Sequence, residues 1–305
     1  MRALKKKVIR ELRNRLLALA WTRALLAPWM VRRKFRRICG KALDLKNPRT
    51  FSEKLNWMKL HGGLERLGPL VDKAAVRGPV AAVIGAERLT PVIGIYASAA
   101  EIDWERLPRR FVIKATHGSG WNVVVQDKAQ EDWPALQVRL GRWLKTNYYS
   151  GSQEAQYLNV PPRLVVEEHI GLEGADLKDF KVFCFGGEPF MVQVDAERYT
   201  AHTRDFYEAA TWTRLDVRCT CEPLKQPEPR PAELDELLGL ARRLAAGFPF
   251  VRVDFYIVKG RIYFGELTFT PSAGLAKFEP AEFDLKLGGL LQWPAGGLAG
   301  SGLQK

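Results

Sequence analysis

The chain has 305 residues, enough for one large domain or two to three small subdomains, and 47% are apolar, as in a globular protein with a substantial core. Cys219 and Cys221 form C-x-C rather than the C-x-x-C of a zinc or redox site, and none of the four histidines pairs with a cysteine at ligand spacing. The composition therefore excludes a structural zinc site and a disulfide framework. Reduced thiols and a cytosolic setting follow as the default expectation.

The net charge of +13 is concentrated at the N-terminus. Residues 1–41 contain 14 Lys or Arg against a single acid, Glu11, and so carry all of it, whereas the remaining residues have 33 basic and 33 acidic side chains. Bulk charge therefore gives the folded body no nucleic-acid-binding surface, and we expect no nucleic acid partner.

The first predicted element is a basic amphipathic helix within residues 1–41. A transmembrane helix is excluded because Arg23 and Pro28 interrupt the longest apolar stretch. A signal peptide is disfavoured because that stretch is short and dense charge resumes at Arg32. Two interpretations stay open: peripheral contact with an anionic membrane face or a partner, or a solvated helix packed on the body.

A small α/β region is predicted for residues 42–110. Asn47-Pro48 marks a turn, and Ser52 is a candidate N-cap for the helix that follows. A second helix over residues 72–84 is weakened by Gly78-Pro79.

The pattern changes at Phe111 to short strands mixed with amphipathic helices. The predicted strands are FVIKAT, WNVVVQD, RLVVEEHI, DFKVFCF and PFMVQVD, and the predicted helices are EDWPALQVRLGRWLKT and PAELDELLGLARRLAAGF. This mixture predicts an α+β (mixed α/β) fold. We divide it into subdomains over residues 111–170 and 171–290, followed by a flexible Gly-rich tail over residues 291–305.

A glycine-containing loop follows the strand that ends near Lys114. The loop reads His117-Gly118-Ser119-Gly120, and its glycines allow backbone N–H groups to approach a phosphate, to which a lysine adds positive charge. It matches neither the P-loop pattern nor G-x-G-x-x-G. The pattern alone leaves open a phosphate site or a glycine turn with a solvated lysine.

Residues 251–274, VRVDFYIVKGRIYFGELTFTPSAG, form a predicted hairpin with charged residues inside it. A two-residue loop without a bulge would place Asp254 and Glu266 on opposite faces, so we predict an odd loop or a bulge that brings them to one face. Two such carboxylates repel unless a cation lies between them, and nucleotide-bound Mg²⁺ is the commonest occupant. The alternative is a salt-bridged pair using Arg252 and a nearby lysine.

Together these segments resemble the ATP-grasp superfamily. Arg252-Val253-Asp254 and Glu266-Leu267-Thr268, followed by Pro271 and Gly274, resemble the metal-binding end of ATP-grasp ligases such as D-alanine–D-alanine ligase. FVIKATHGSGW resembles the lysine strand and phosphate-covering loop, VEEHI the hinge strand of the adenine pocket, and VDKAAVR an upstream phosphate-lysine element. Over residues 45–290 the chain more closely resembles the teichuronopeptide-biosynthesis (TupA-like) ATP-grasp family. One departure is Thr268, where the superfamily has Asn.

The resemblance implies an ATP-grasp fold that binds the nucleotide between two α+β subdomains, with ATP and Mg²⁺ as cofactors. Arg252 and Lys114 are the implied catalytic residues. The implied nucleotide contacts are Lys73, Lys114, His117, Gly118, Ser119, Gly120, Glu167 or Glu168, and Lys181. The implied metal ligands are Asp254, Glu266 and Thr268.

The implied activity is ATP-dependent ligation of a carboxylate to an amine through an acyl phosphate, in capsule or cell-wall polysaccharide synthesis. The implied substrates are a sugar carboxylate and an amino acid. Arg198, Tyr199, His202 and Arg204 are candidates for an anionic acceptor, with a solvated loop as the alternative. Cys219 and Cys221 are expected to be unreactive.

Three other functions stay open. A glycosyltransferase would be expected to show Asp-x-Asp, which the chain lacks. A kinase-like phosphotransferase would need a catalytic base such as that of His-Arg-Asp, which is also lacking. A non-enzymatic membrane-associated module made from an altered ATP-grasp fold has only Thr268 in its favour.

Overall fold

The computed structural model describes residue 17 and residues 19–173, 176–197 and 201–292. The α-helices in this part of the chain are α1 (Ala20–Cys39), α2 (Phe51–His61), α3 (Gly68–Val71), α4 (Arg77–Ile84), α5 (Trp133–Leu144), α6 (Tyr149–Ser152), α7 (Leu234–Ala245) and α8 (Glu282–Leu290). The strands are β1 (Val92–Tyr96), β2 (Phe111–Ala115), β3 (Asn122–Val125), β4 (Leu164–Glu168), β5 (Asp179–Phe185), β6 (Glu188–Ala196), β7 (Thr203–Glu208), β8 (Arg218–Cys219), β9 (Phe250–Val258), β10 (Arg261–Thr268) and β11 (Phe278–Glu279). Short 3₁₀ turns connect them, among them Ala155–Tyr157 and Pro271–Gly274.

Helix α2 begins at a capping box. Thr50 Oγ1 accepts a hydrogen bond from the Glu53 N–H, and the Glu53 carboxylate accepts one from the Thr50 N–H. The prediction that Ser52 is the N-cap is therefore wrong. Ser52 lies buried in the first turn, where its hydroxyl donates to Asp284 of α8 at 3.0 Å and ties the two helices together.

The smaller sheet has the antiparallel order β1-β4-β2-β3. Phe111, Ile113 and Ala115 of β2 are buried against helix α5, so the alternation of a strand turns Lys114 to the opposite face. Strand β1 belongs to this sheet although the predicted division assigns it to residues 42–110. The division into subdomains stays a proposal.

The larger sheet has the antiparallel order β10-β9-β5-β6-β7, and α7 covers one face with a stripe of buried leucines. The other face is polar. Asp254 of β9 lies opposite Lys181 of β5, which lies opposite Gln193 of β6, and Asp195 lies opposite Arg204 of β7. This face looks toward the smaller sheet, because side chains of both sheets line the same cavities.

The predicted α+β (mixed α/β) fold is confirmed by these two antiparallel sheets and their helices. No helix among the described residues has the length and apolar composition that crossing a membrane requires.

Candidate active site

The hairpin of β9 and β10 brings its charged side chains to one face. Lys259 and Gly260 form the turn, with φ values of 49° and 75° that suit a two-residue hairpin loop. The register then shifts between Phe264 and Glu266, so that Glu266 lies opposite Asp254. The predicted bulge is confirmed, and the alternative of an odd loop is wrong because the turn has two residues.

Gly265 is the residue that absorbs the shift. A Cβ atom here would lie 3.0 Å from the carbonyl oxygen of Asp254 and 3.3 Å from Cε2 of Tyr256. Both distances are tighter than ordinary van der Waals contact, so glycine lets the strands approach this closely. Without the additional residue, strand alternation would turn Glu266 to the other face.

Arg252 joins the two carboxylates. Its Nε and Nη2 each donate to an oxygen of Asp254 at 2.6 Å, and Nη2 also donates to Glu266 Oε1 at 3.3 Å. Thr268 Oγ1 accepts from Nη2 at 3.1 Å and donates to Glu266 Oε1 at 2.9 Å. Lys181 Nζ donates to Asp254 Oδ2 at 3.0 Å. The salt-bridged arrangement left open by the sequence is thus present in this conformation.

The two carboxylates differ in their electrostatics. Burial raises the pKa of Asp254, and the neighbouring Arg252 and Lys181 only partly offset it. Burial also acts on Glu266, but Lys73, Arg252 and Lys181 outweigh it and hold its pKa at about 2. The difference follows from the neighbouring charges, since Lys73 is the strongest cationic influence on Glu266, whereas the nearby Glu266 carboxylate raises the pKa of Asp254 further.

Asp254, Glu266 and Thr268 offer oxygen atoms, the donors that Mg²⁺ prefers. The exposed part of Glu266 makes this edge of the cluster reachable from the cleft. Among the residues that the structure describes, no group of three or more His, Cys, Asp or Glu side chains is arranged to hold a metal ion. The donors fit Mg²⁺ chemically, while Arg252 and Lys181 balance their charge in this conformation.

Lys114 faces this cluster from the smaller sheet. Its Nζ donates to Glu167 Oε2 at 2.5 Å, and Arg77 Nη1 lies 3.5 Å from the other oxygen of that carboxylate. Both Glu167 and Glu168 line the cleft. Glu167 is buried and its carboxylate is already paired with the two cations, whereas Glu168 is exposed.

Two adjoining cavities lie between the sheets and share Lys114, Asn122, Asp179 and Tyr256 as walls. The first, the apolar cavity, has a volume of ≈ 130 Å³ and includes Val112, Val124, Ile170, Leu177, Gln126 and Glu168 in its lining. The second, the charged cavity, has a volume of ≈ 210 Å³ and includes Lys73, Lys181, Arg252, Asp254, Glu266, Ser119 and Gly120. The apolar cavity suits a flat apolar group, and the charged cavity suits a polyanion.

The predicted phosphate loop contributes two residues to the charged cavity, Ser119 and Gly120. Gly120 has φ of 72°, a conformation that favours glycine. Lys73 Nζ donates to the carbonyl oxygen of Gly118 at 2.6 Å, which ties the loop to the segment between α3 and α4. Gly118 itself lines neither cavity.

His117 lies beside the phosphate loop but lines neither cavity. Its Nε2 lies 3.0 Å from the carbonyl oxygen of Trp143, and its ring packs edge-on against Trp121 at 5.2 Å. Burial lowers its pKa. These contacts give His117 a packing role, and its contact with a nucleotide stays a prediction.

A comparison with protein-family models matches residues 53–292 to the family described as TupA-like ATPgrasp. The chain belongs to this family. The match confirms the resemblance, and it spans both sheets and every predicted site residue. No curated protein matches the chain in sequence.

Several solved ATP-grasp structures are similar to the chain at low identity. D-alanine–D-alanine ligase from Bacillus anthracis, complexed with ATP, is 15% identical, with 69% of this chain and 61% of that chain covered and a TM-score of 0.39. D-alanyl-alanine synthetase A from Vibrio cholerae O1 biovar eltor is 13% identical, with 72% and 62% covered and a TM-score of 0.40. D-cycloserine synthetase DcsG is 14% identical, with 73% and 71% covered and a TM-score of 0.39. The chain therefore spans less than two thirds of the first two.

The acceptor candidates of this TupA-like chain are only partly visible. Arg198 and Tyr199 lie outside the described residues. Arg204 lines the charged cavity, but its Nε and Nη2 donate to Asp195 at 2.6 and 3.1 Å, so a buried carboxylate already balances its charge. His202 also lines the cavity, with Nε2 3.5 Å from Asp195 Oδ1.

Cys221 has a neighbour that sequence spacing did not reveal. Its Sγ lies 3.5 Å from His202 Nδ1, a contact between residues 19 positions apart. Cys221 lines neither cavity of the cleft. The contact carries no sequence signal, because it arises from the packing of the strand that follows His202 against the Cys219–Cys221 turn.

Tyr148 is a further residue near the phosphate loop that sequence reasoning missed. Burial raises the pKa of its hydroxyl, on which Glu154 and Ser119 also act, and its ring packs edge-on against Trp121 at 5.2 Å. Glu154 in turn accepts a hydrogen bond from Thr270 Oγ1 at 2.6 Å. These contacts connect the phosphate loop to the segment after β10. The sequence did not indicate them, because an aromatic residue in a loop has no distinctive pattern.

Proposed function

We propose that the protein is an ATP-dependent carboxylate–amine ligase that works through an acyl phosphate. Membership of the TupA-like ATP-grasp family supports the enzyme class. The observation that carries the proposal is the charged cavity between the two sheets, whose lining brings Arg252, Asp254 and Glu266 together with three lysines. Such a cavity suits a triphosphate and its counter-ions.

The nucleotide is proposed to lie along both cavities. The base would occupy the apolar cavity, with the exposed carboxylate of Glu168 available to its amino group or to the ribose. The phosphates would occupy the charged cavity, where Lys73, Lys114 and Lys181 offset their charge. Ser119 and the loop backbone would cover the terminal phosphates.

Asp254 and Glu266 would hold Mg²⁺, and Thr268 would supply a hydroxyl oxygen. When bound, Mg²⁺ neutralises charge that develops during phosphoryl transfer. Arg252 donates hydrogen bonds to both carboxylates. Its guanidinium would therefore lie beside the reacting groups and stabilise the oxyanion formed when the amine attacks.

The proposed reaction has two steps. The substrate carboxylate attacks the γ-phosphate of ATP, which releases ADP and leaves an acyl phosphate. The amine then attacks the acyl carbon, inorganic phosphate leaves, and an amide remains after the amine has lost a proton. No protein nucleophile takes part, and the role of the chain is to orient the reactants and to stabilise charge.

The substrates and the setting are proposed from the family resemblance. The carboxylate would belong to a uronic acid and the amine to an amino acid, in the synthesis of a capsule or cell-wall polysaccharide. The enzyme would work in the cytoplasm, where ATP is supplied. The basic residues 1–41 would bring it to the inner membrane face, where lipid-linked glycans are made. Residues 42–110, 111–170 and 171–290 remain the proposed subdomains.

Thermal unfolding with ATP and Mg²⁺ tests the site. The wild type should unfold at a higher temperature with MgATP, since a ligand at about 100 times its Kd stabilises by about 2.7 kcal/mol. The shift should shrink strongly in the double variant Asp254→Asn, Glu266→Gln. Asp205→Asn is the matched control, because Asp205 is a buried carboxylate of the same sheet that lines neither cavity.

The outcomes separate the candidate functions. A shift that is lost in the double variant and kept in the control supports the site, and ADP release with pairs of uronic and amino acids then tests the ligase reaction. A wild type that responds to a nucleotide sugar but not to MgATP would overturn the ligase proposal in favour of glycosyl transfer.

A further inference from the structure

Helix α1 exposes three large apolar side chains in one row. Trp21 is 67% exposed, Leu25 is 71% exposed and Trp29 is 57% exposed. Residues four apart lie on the same helix face, so the three form a continuous stripe. A surface helix that faces only water carries polar residues there. We call this row and the exposed arginines that follow it the α1 outer face.

The opposite side of α1 is fixed to the protein. Ala27, Val31 and Phe35 are at most 4% exposed, and Val31 and Phe35 pack in a core cluster with Leu43 and Leu275. The helix therefore cannot roll to bury its apolar stripe. The stripe is held outward by the packing of the other side.

The C-terminal half of the outer face is basic. Arg32, Arg33, Arg36 and Arg37 are all exposed, and α1 contains no Asp or Glu. Among the described residues, none of these four arginines forms an ion pair, and Arg33 instead lies over the ring of Trp29 at 5.2 Å. The face thus has apolar side chains in its first half and unneutralised positive charge in its second.

We propose that the α1 outer face docks on an anionic phospholipid surface. The two tryptophans and Leu25 would enter the boundary between headgroups and acyl chains, where amphipathic rings are favoured. The arginines would contact lipid phosphates. The face runs from residue 21 to residue 37, about 24 Å at the helical rise, so α1 would lie along the membrane plane.

The rest of the N-terminal sequence is also basic, which suits an anionic membrane. Residues 1–16 add seven Lys or Arg and one acid, while the chain beyond residue 41 is neutral overall. The lipid class follows from the charge of the face and the apolar contact from its tryptophans. This proposal deepens the membrane contact proposed above and stands independently of the ligase chemistry.

Vesicle flotation with the full-length chain, without nucleotide, tests the proposal. The probes are phosphatidylcholine vesicles with and without phosphatidylglycerol, at low and high salt. The wild type should float with the anionic vesicles at low salt and less at high salt. The triple variant Trp21→Ala, Leu25→Ala, Trp29→Ala should bind at least tenfold more weakly, because it keeps every charge but loses the inserted groups.

A control variant and a charge variant are compared with the triple variant. Val138→Ala alters an apolar residue that is 58% exposed on α5, and it should leave flotation unchanged. The variant with Arg32, Arg33, Arg36 and Arg37 replaced by Gln should lose the preference for anionic lipid. Wild-type protein that does not float with anionic vesicles, or a triple variant that floats as well as the wild type, would overturn the proposal. Neither outcome depends on MgATP binding, which the triple variant should retain.

Discussion

Replacing Lys181 with methionine tests whether the buried carboxylates of the larger sheet are held by their counter-ions. Lys181 Nζ lies 2.8 Å from Asp179, 3.0 Å from Asp254 and 4.0 Å from Asp195, and its side chain is 6% exposed. At an effective dielectric constant of about 20, each contact near 3 Å contributes roughly 5 kcal/mol of attraction. Desolvation of the ammonium offsets much of this, so we expect Lys181→Met to lower the free energy of unfolding by about 3–5 kcal/mol.

Urea denaturation at neutral pH measures this loss, with Lys178→Met as the control. Lys178 Nζ lies 2.5 Å from Glu228, but its side chain is 37% exposed, so its loss should cost less than about 1 kcal/mol. The two variants remove the same charge from neighbouring positions of the chain, and they differ chiefly in burial.

The pH dependence gives a second readout. Burial already raises the pKa of Asp254, and removal of Lys181 would raise it further. The folded variant then binds more protons than the unfolded chain from about pH 4 upward, so its stability falls as pH rises and the deficit shrinks toward about pH 5. Equal losses in the two variants, or a deficit that does not change with pH, would refute the reasoning. A variant that folds only at low pH would agree with it.

Three further predictions concern the hairpin, the phosphate loop and helix α2. Gly265→Ala should cost about 1–3 kcal/mol by calorimetry because its Cβ meets the facing strand, whereas Gly141→Ala, in an open position of α5, should cost nothing; equal effects would contradict the close approach. Tyr148→Phe should raise KM for ATP more than it lowers kcat, because Ser119 loses the influence of a neighbouring hydroxyl, and an unchanged KM would contradict that coupling. Burial holds the pKa of Lys59 at about 8. Relative to Lys59→Met, the free energy of unfolding of the wild type should therefore rise by roughly 3 kcal/mol from about pH 8 to about pH 10.5. A difference between the two proteins that stays constant over this pH range in denaturation experiments would exclude the shifted pKa.

Local patterns predicted the parts of the fold that local physics determines. Strands β2, β5 and β9 are dense in β-branched and aromatic residues, and each carries a lysine or a carboxylate that marks the site. The expectation of an odd loop or a bulge followed from the need to bring two carboxylates to one face, and the structure places the bulge at Gly265. The capping box of Thr50 and Glu53 was also visible in the sequence, and the choice of Ser52 missed it.

The contacts that sequence reasoning missed are all made across the fold. The packing of Tyr148 against Trp121 and the contact of Cys221 with His202 depend on how distant segments pack. The pairing of Glu167 with Arg77, which lies 90 residues earlier, was likewise not visible in the sequence. His117 matched a loop pattern, and only the structure shows its ring packed against Trp121.

The Arg252 guanidinium bridges Asp254 and Glu266. Binding of a metal ion at the proposed site would therefore exchange one cation for another. Both carboxylates already have cationic partners, so an arriving divalent ion must displace Arg252 or Lys181 rather than fill an uncompensated charge. The displaced side chains then need an anion, which a triphosphate would supply. Metal and nucleotide are therefore expected to bind more tightly together than either does alone, with coupling that is reciprocal.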